Sequence, residues 1–401
     1  MSLAILHIDD SCTGCGACVN ICPNRCLHWG TDNEGFFYPK YEDDNCTHCG
    51  LCEKTCHVLT PHEQRPISTD RFFLYHSNDE SILESSSSGG VFSLFADWVL
   101  SQGGVVFGSF YNGENKRLEV SSTEQTSLSS LRKSKYIESF TGNAFSDIRR
   151  LLQNGLHVLY CGTPCQIRGL KRYLTITRTN TNLLFTMDFA CHGVPSNEYF
   201  RQFTQLFENR GKKVIDADFR YKDFRRSNMM WHNMTLRLGF SNGTEVILPR
   251  HSEYYYYYEP FLDNLFLRKS CYRCDLALHS DADISLGDFW GINSYRKELD
   301  NNKGMSFVSI NNENVLSLWR MLSKKGFSES LPFKAIAYQY NDRSEGRIKQ
   351  MEARAVFIKH IKESGYKRAV IKHYGLMNIV FSVHFNKLKN AVKRVLGIPL
   401  S

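Results

Sequence analysis

The sequence has no run of 18 consecutive apolar residues, so no membrane-spanning helix is expected. It also lacks the apolar stretch of a secretory signal. The opening MSLAILHIDD sets Asp9 and Asp10 where that stretch would run, and a cytoplasmic location is the expectation. Hydrophobic residues at 42% and charged residues at 22% exclude a disordered or collagen-like chain. At 401 residues there is room for two or three domains. A basic patch on the body is missing as well. Residues 347–401 carry 12 Lys and Arg against two acids, a net +10, which leaves −2 on the rest of a chain whose total is +8. Nucleic acid is therefore not expected as a partner. The basic C-terminal region instead suits docking on an acidic protein or an anionic membrane surface, or packing of a basic helix on its own body.

Cysteine is plentiful and unevenly spread. Nine of the 14 cysteines lie between Cys12 and Cys56; the others are Cys161, Cys165, Cys191, Cys271 and Cys274. In an intracellular chain, clustered thiols point to metal binding and not to disulfides. CTGCGACVNIC from Cys12 and CTHCGLCEKTC from Cys46 repeat the pattern C-x2-C-x2-C-x3-C at an offset of 34 residues. A structural zinc site would use CxxC pairs with longer spacers, not triplets. The pattern resembles a bacterial dicluster ferredoxin, in which three thiolates wrap one cubane and the fourth reaches the other. Cys12, Cys15, Cys18 and Cys56 are then expected on one 4Fe–4S cluster, and Cys46, Cys49, Cys52 and Cys22 on the second. Cys22-Pro23 keeps the ferredoxin proline, whereas Cys56-His57 lacks it. Cys26 falls outside the repeat.

After a linker with Pro61 and Pro66, FFLYH (72–76) reads as a strand. Ser85 to Gly90 precede a helical stretch in which Val91, Leu94, Phe95, Trp98 and Val99 share a face. Small residues entering a helix suit phosphate, and serve equally as a plain N-cap. VVFGSFY (105–111) reads as a buried strand. Two strand–loop–helix units follow: HVLY into CGTPC with a helix from Gln166 to Leu174, and LLFTMDFA into CHGVPS with a helix from Asn197 to Lys213. Ligands in open α/β sheets bind at the carboxyl ends of strands, where Cys165 and Cys191 would converge. NMTLRLGF-SNGT-EVILP predicts a hairpin turning at Asn242-Gly243. Tyr254 to Tyr258 predict an aromatic element packed on the core. CYRCDLA supplies a CxxC, and ADISLGDFWGI another strand. The five later cysteines suit a third metal site, with zinc, buried apolar thiols and a nucleophilic Cys165 beside His192 as competing readings.

In order, SSSSGGVFSLF, SKYIES, YCGTPCQIRGLKRYL, ACHGVPS, FRYKD, CYRCDLA and ADISLGDFWGI make the chain similar to the coenzyme F-420 hydrogenase/dehydrogenase beta-subunit family, in its bacterial type with an N-terminal dicluster ferredoxin domain. The resemblance implies an α+β architecture: a ferredoxin-like domain over 1–62, an α/β FAD and 4Fe–4S oxidoreductase domain over 70–330, and a basic helical region over 331–401. It implies that Ser87, Ser88, Gly89 and Gly90 cradle flavin phosphate, and that Lys135, Tyr136, Ser139, Gly162, Thr163 and Pro164 lie along the flavin. Cys165, Cys191, Cys271 and Cys274 would hold a third 4Fe–4S cluster, with Cys161 spare. His192 and Lys222 are the catalytic candidates, with Asp288 and Trp290 beside them in the pocket. FRYKD has Tyr221 where an acid is expected, so the resemblance assigns no role to Asp223. The function implied is an iron–sulfur flavoenzyme that passes electrons between a ferredoxin or other redox protein, its clusters and FAD, and a small-molecule substrate. A non-catalytic electron-transfer subunit docked on a catalytic partner, or an assembly factor in glycan synthesis, is the alternative.

Overall fold

The computed structural model describes residues 8–42, 45–60, 71–276, 280–337 and 344–380. The linker around Pro61 and Pro66 and the basic segment 381–401 lie outside the described residues. The N-terminal segment pairs β1 (Leu27–Thr31) with β2 (Phe37–Tyr41) in an antiparallel hairpin. Two five-residue helices, Ala17–Ile21 and Leu51–Thr55, flank it. The sequence repeat recurs in the backbone. Gly16 (φ 86°) and Gly50 (φ 68°) open the two helices in the left-handed region that glycine adopts without strain. Both helices end at an extended cysteine, Cys22 or Cys56.

The strands of the body are β3 (Phe72–Ser77), β4 (Val105–Asn112), β5 (Arg117–Ser122), β6 (Ser139–Phe140), β7 (Val158–Cys161), β8 (Leu184–Phe189), β9 (Val214–Tyr221), β10 (Thr235–Phe240), β11 (Glu245–Pro249), β12 (Ile284–Asp288), β13 (Ser306–Ile310) and β14 (Gly326–Ser330). Nine form one sheet in the order β14-β3-β13-β12-β8-β7-β4-β5-β6. Its centre, β12-β8-β7-β4, is parallel, and the flanking pairs β12-β13, β13-β3, β3-β14 and β4-β5 are antiparallel. The parallel strands are buried runs such as Val158, Leu159 and Tyr160, as expected for a sheet covered on both faces. β9, β10 and β11 form a separate antiparallel sheet, with the hairpin register turning where expected. The architecture is mixed α and β, with a ferredoxin-like N-terminal segment and a helical C-terminal region, as the sequence implies.

Two helices differ from their expected spans. Pro164–Ile176 begins before Gln166, because Thr163 caps it and Pro164 fits a first turn whose amide needs no partner. The helix expected to reach Lys213 stops at Thr204. Asn209 and Lys212 bond each other's backbones around the left-handed Gly211 (φ 86°), and the chain then enters β9. FRYKD thereby starts on a strand and not in a loop.

The N-terminal segment is packed into the body. Ala17, Cys18 and Ile21 share a core with Phe145, Ile148 and Leu170 from the helices Ala144–Gln153 and Pro164–Ile176. Phe357, Ile361 and Val370 of the C-terminal helices Met351–Ser364 and Tyr366–Tyr374 share another with Tyr257 and Phe266. Arg354 pairs with Glu34 of the β1–β2 turn, 320 residues away, and Tyr199 donates to the same carboxylate at 3.0 Å. Tyr254 and Tyr257 are fully buried, so the tyrosine run is core. No helix among the described residues is long and apolar enough to cross a membrane.

Candidate functional site

The cysteines fall into separate groups, each around its own cavity. Cys12, Cys15, Cys18 and Cys56 line a cavity of about 20 Å³. Cys22, Cys46, Cys49 and Cys52 line a second of the same size, to which Cys26 also contributes. The two short helices span from one cavity to the other, carrying Cys18 with Cys22 and Cys52 with Cys56. His57 stands where the first copy has proline; its Nε2 lies 2.9 Å from the Thr13 hydroxyl on the wall of the first cavity. Burial raises the Cys12, Cys15 and Cys18 thiols, and neighbouring thiolates raise them further. Four buried thiols that oppose one another's ionisation suit a cationic group that reverses the penalty.

Cys165, Cys191, Cys271 and Cys274 line a third cavity of about 50 Å³. Cys165 stands in the first turn of Pro164–Ile176, where the Thr163 hydroxyl is 3.1 Å from its sulfur. Cys191 follows β8, and the other two leave the short turn Lys269–Arg273. Burial pushes Cys191 well up, followed by the charges of Cys271, Cys165 and Cys274. Among the described residues, no three His, Cys, Asp or Glu are grouped to hold a single metal ion. Cys161 is outside this cavity.

The first cavity, the third and a larger one share walls, while the second is tied to the first by the two short helices. Thr13 and Gly14 line both the first and the third. Cys191 and Cys274 line both the third and a cavity of about 610 Å³ at the carboxyl ends of β7, β8 and β12. Gly90, Val91 and Phe92 bring the N-terminus of the helix Val91–Ser101 to its wall, with Gly90 in the left-handed region at φ 91°. Ser87 and Ser88 are also on the wall, but their hydroxyls are engaged: Ser87 accepts from Ser134 N at 2.6 Å, and Ser88 donates to Met305 O at 2.7 Å. Gly89 faces the sheet; a Cβ there would stand 2.1 Å from Tyr75 O. The Lys135 ammonium donates to Arg132 O and Lys133 O at 2.6 and 3.2 Å, and burial pulls its pKa down to about 8.

Tyr136, Ser139, Gly162, Thr163, Pro164 and His192 all line the large cavity. His192 Nε2 is 3.1 Å from Phe261 O. Lys222 does not line it: its buried ammonium donates to Lys303 O at 2.7 Å. Its strand neighbour Arg220 acts there instead, pairing with Asp288 at 2.5 Å and donating to Tyr136 Oη at 3.2 Å. The same guanidinium lies 5.1 Å from the ring centre of Trp290, which stacks on Trp231 at 4.7 Å and 5°. Trp290 is 38% exposed, a flat apolar surface at the cavity wall.

Sequence reasoning overlooked Asp188. Burial raises its carboxyl to about 7, and Oδ2 accepts from Ser280 at 2.5 Å. An acid closing the apolar run LLFTMDF was the available signal. Arg220 was also overlooked, although it stands two residues before Lys222, near the end of β9.

Residues 11–59 match the 4Fe-4S dicluster domain, and residues 156–335 match the C terminus of the coenzyme F420 hydrogenase/dehydrogenase beta subunit. The two matches describe an iron–sulfur protein of oxidoreductase-related, electron-transfer kind. Among solved structures, a chain of the F420-reducing NiFe hydrogenase complex from Methanosarcina barkeri is similar, at 15% identity over 73% of this chain and 95% of that chain, with a TM-score of 0.47. No curated protein matches the chain.

Proposed function

We propose that the protein is an iron–sulfur flavoenzyme that exchanges electrons between a ferredoxin-type carrier and a small-molecule substrate. The shared walls that run from the first cysteine-lined cavity through the third to the large one, with the second joined to the first by two short helices, carry this reading. Cys12, Cys15, Cys18 and Cys56 would hold one 4Fe–4S cluster, and Cys22, Cys46, Cys49 and Cys52 the second. Cys165, Cys191, Cys271 and Cys274 would hold a third; four thiols facing one cavity match the Cys₄ donor set of a cubane. The large cavity is of the size that cofactor sites occupy and would hold FAD. When bound, clusters supply one-electron transfer, and a flavin couples single electrons to hydride-type chemistry.

The chain's own residues then have defined tasks. The amides opening Val91–Ser101 and the Lys135 ammonium would receive phosphate. Arg220 fixes Asp288 and Tyr136, and Trp290 offers a stacking face to a planar ring. His192 is the nearest sequence-derived candidate to handle a proton. Lys222 supports the wall from behind.

Anaerobic cofactor analysis combined with EPR tests the reading. About twelve iron atoms per chain and one released flavin are expected; about eight iron atoms would remove the third cluster. Absence of flavin would overturn the enzyme reading and leave an electron-transfer subunit. With flavin present, reduction by reduced ferredoxin followed by reoxidation with candidate acceptors separates enzyme from relay.

A further inference from the structure

Between the first and third cavities lies a buried ion pair with no part in the tasks above. Arg268 is fully buried and Glu138 is 4% exposed. The guanidinium donates to Cys12 O at 3.1 Å, to Phe37 O at 2.6 Å and to the Glu138 carboxylate. The other carboxylate oxygen accepts from Phe37 N at 3.1 Å. The guanidinium also lies over the rings of Tyr38 and Phe36, with ring centres 4.4 and 5.1 Å away. Gly14, which lines both cavities, leaves room for the pair: a Cβ there would be 2.7 Å from Arg268 Nη2 and 2.9 Å from Glu138 Oε1. Arg268 also begins the turn that carries Cys271, and Glu138 lines the third cavity. The pair thus reaches both sides of the wall, through Cys12 O on one and through the Cys271 turn and the Glu138 carboxylate on the other.

Such a pair is expensive to bury, and apolar side chains fill space as well or better. Its placement gives it a different use. We infer that Arg268 and Glu138 are positioning residues that jointly set the reduction potentials of the first and third cysteine sites. The inference rests on the reading that those sites hold 4Fe–4S clusters. A cluster gains one negative charge when it takes one electron from its donor. Net charge and hydrogen bonding around a cluster set its potential, and a buried charge acts strongly because little solvent screens it. Arg268 therefore favours the reduced form at both sites, and Glu138 opposes it.

The test is a mediated dithionite redox titration of the anaerobic, cluster-loaded full chain, followed by EPR. Arg268→Gln should lower both potentials and Glu138→Gln should raise both. Each shift should change the reduced-to-oxidised ratio at fixed ambient potential about tenfold, roughly 59 mV for a one-electron couple. Arg268→Lys should stay near wild type. The Cys22, Cys46, Cys49 and Cys52 site is the internal reference and should not move. A merely structural pair would cost iron in both variants without sending the potentials in opposite directions. If Arg268→Gln fails to fold, Glu138→Gln carries the test, because its amide oxygen still accepts from Arg268 and only the bond from Phe37 N is given up. Three clusters whose potentials stay put in Glu138→Gln overturn the inference. About eight iron atoms and a missing third signal in the unaltered protein overturn instead the cluster reading beneath it.

Discussion

Gly169 sits inside the helix Pro164–Ile176, where glycine ordinarily costs about 1 kcal/mol relative to alanine. On propensity alone, Gly169→Ala should stabilise the protein. The structure predicts the reverse. A Cβ at 169 would stand 2.8 Å from Cys15 Sγ, 3.0 Å from Cys15 Cβ and 3.4 Å from the Phe145 ring. Overpacking of this kind costs roughly 1–3 kcal/mol, so the net change should be a loss of about 0–2 kcal/mol. Cys15 lies on the wall of the first cavity, and the strain falls on that wall. The matched control is Gly346→Ala in the helix Ser344–Lys349, where, among the described residues, the added carbon meets nothing within 4 Å beyond its own helix backbone. It should gain up to about 1 kcal/mol, a thermal shift of about 2 °C or less in a chain of this size. The assay is a thermal midpoint with iron content and EPR of both variants, prepared anaerobically. Gly169→Ala should have the lower midpoint and an altered or depleted signal from the Cys12, Cys15, Cys18 and Cys56 site. If it matches Gly346→Ala in midpoint and keeps an unchanged signal, the packing of Cys15 on that helix is refuted.

Cys165→Ser and Cys274→Ser should each remove about four iron atoms while sparing the N-terminal signals, whereas Cys161→Ser should keep its iron; equal loss from all three would refute the ligand set. The Lys135 ammonium titrates near 8, so an anionic ligand must draw a proton onto it above that pH. FAD binding should weaken several-fold between pH 7 and 9 in fluorescence titrations, and Lys135→Met should flatten the profile. Asp188 titrates at about 7 when folded, against about 3.9 unfolded, so the folded state binds more protons between these values and stability falls as pH rises through that window. Asp188→Asn should raise the thermal midpoint far more at pH 8 than at pH 5, with up to about 4 kcal/mol gained at the higher pH; an equal gain at both would contradict the raised carboxyl.

Local features were readable because their physics is local. The cysteine triplets each specify a ligand-bearing loop without distant help. The apolar runs at 158–160 and 184–187 announce strands buried on both faces, and Asn242-Gly243 announces its turn. What depends on distant partners was not readable. β14, Gly-Phe-Ser-Glu-Ser, has no strand pattern of its own and exists because β3 offers it an edge. β9 carries Asp216, Asp218 and Arg220, whose partners Arg237, Lys133 and Asp288 come from three other segments. Arg268 and Glu138 are 130 residues apart, and neither has a neighbour in sequence that betrays the pair. The serine-glycine stretch shows the opposite hazard. It reads as a phosphate loop, yet Gly89 is small because Tyr75 O crowds it, and two serine hydroxyls serve the backbone.

The Glu34–Arg354 contact has a consequence for how the molecule is made. During synthesis the first sixty residues emerge long before the partners that close them in. Gly169, Arg268 and finally Arg354 arrive in that order, and the last is the 354th residue of 401. A nascent N-terminal module therefore lacks its core partners until the helices Ala144–Gln153 and Pro164–Ile176 are made, and its last anchor, Arg354, waits for the C-terminal helices. Chains interrupted before residue 354 should leave the Glu34 turn without its arginine and be clipped there by protease sooner than the finished chain.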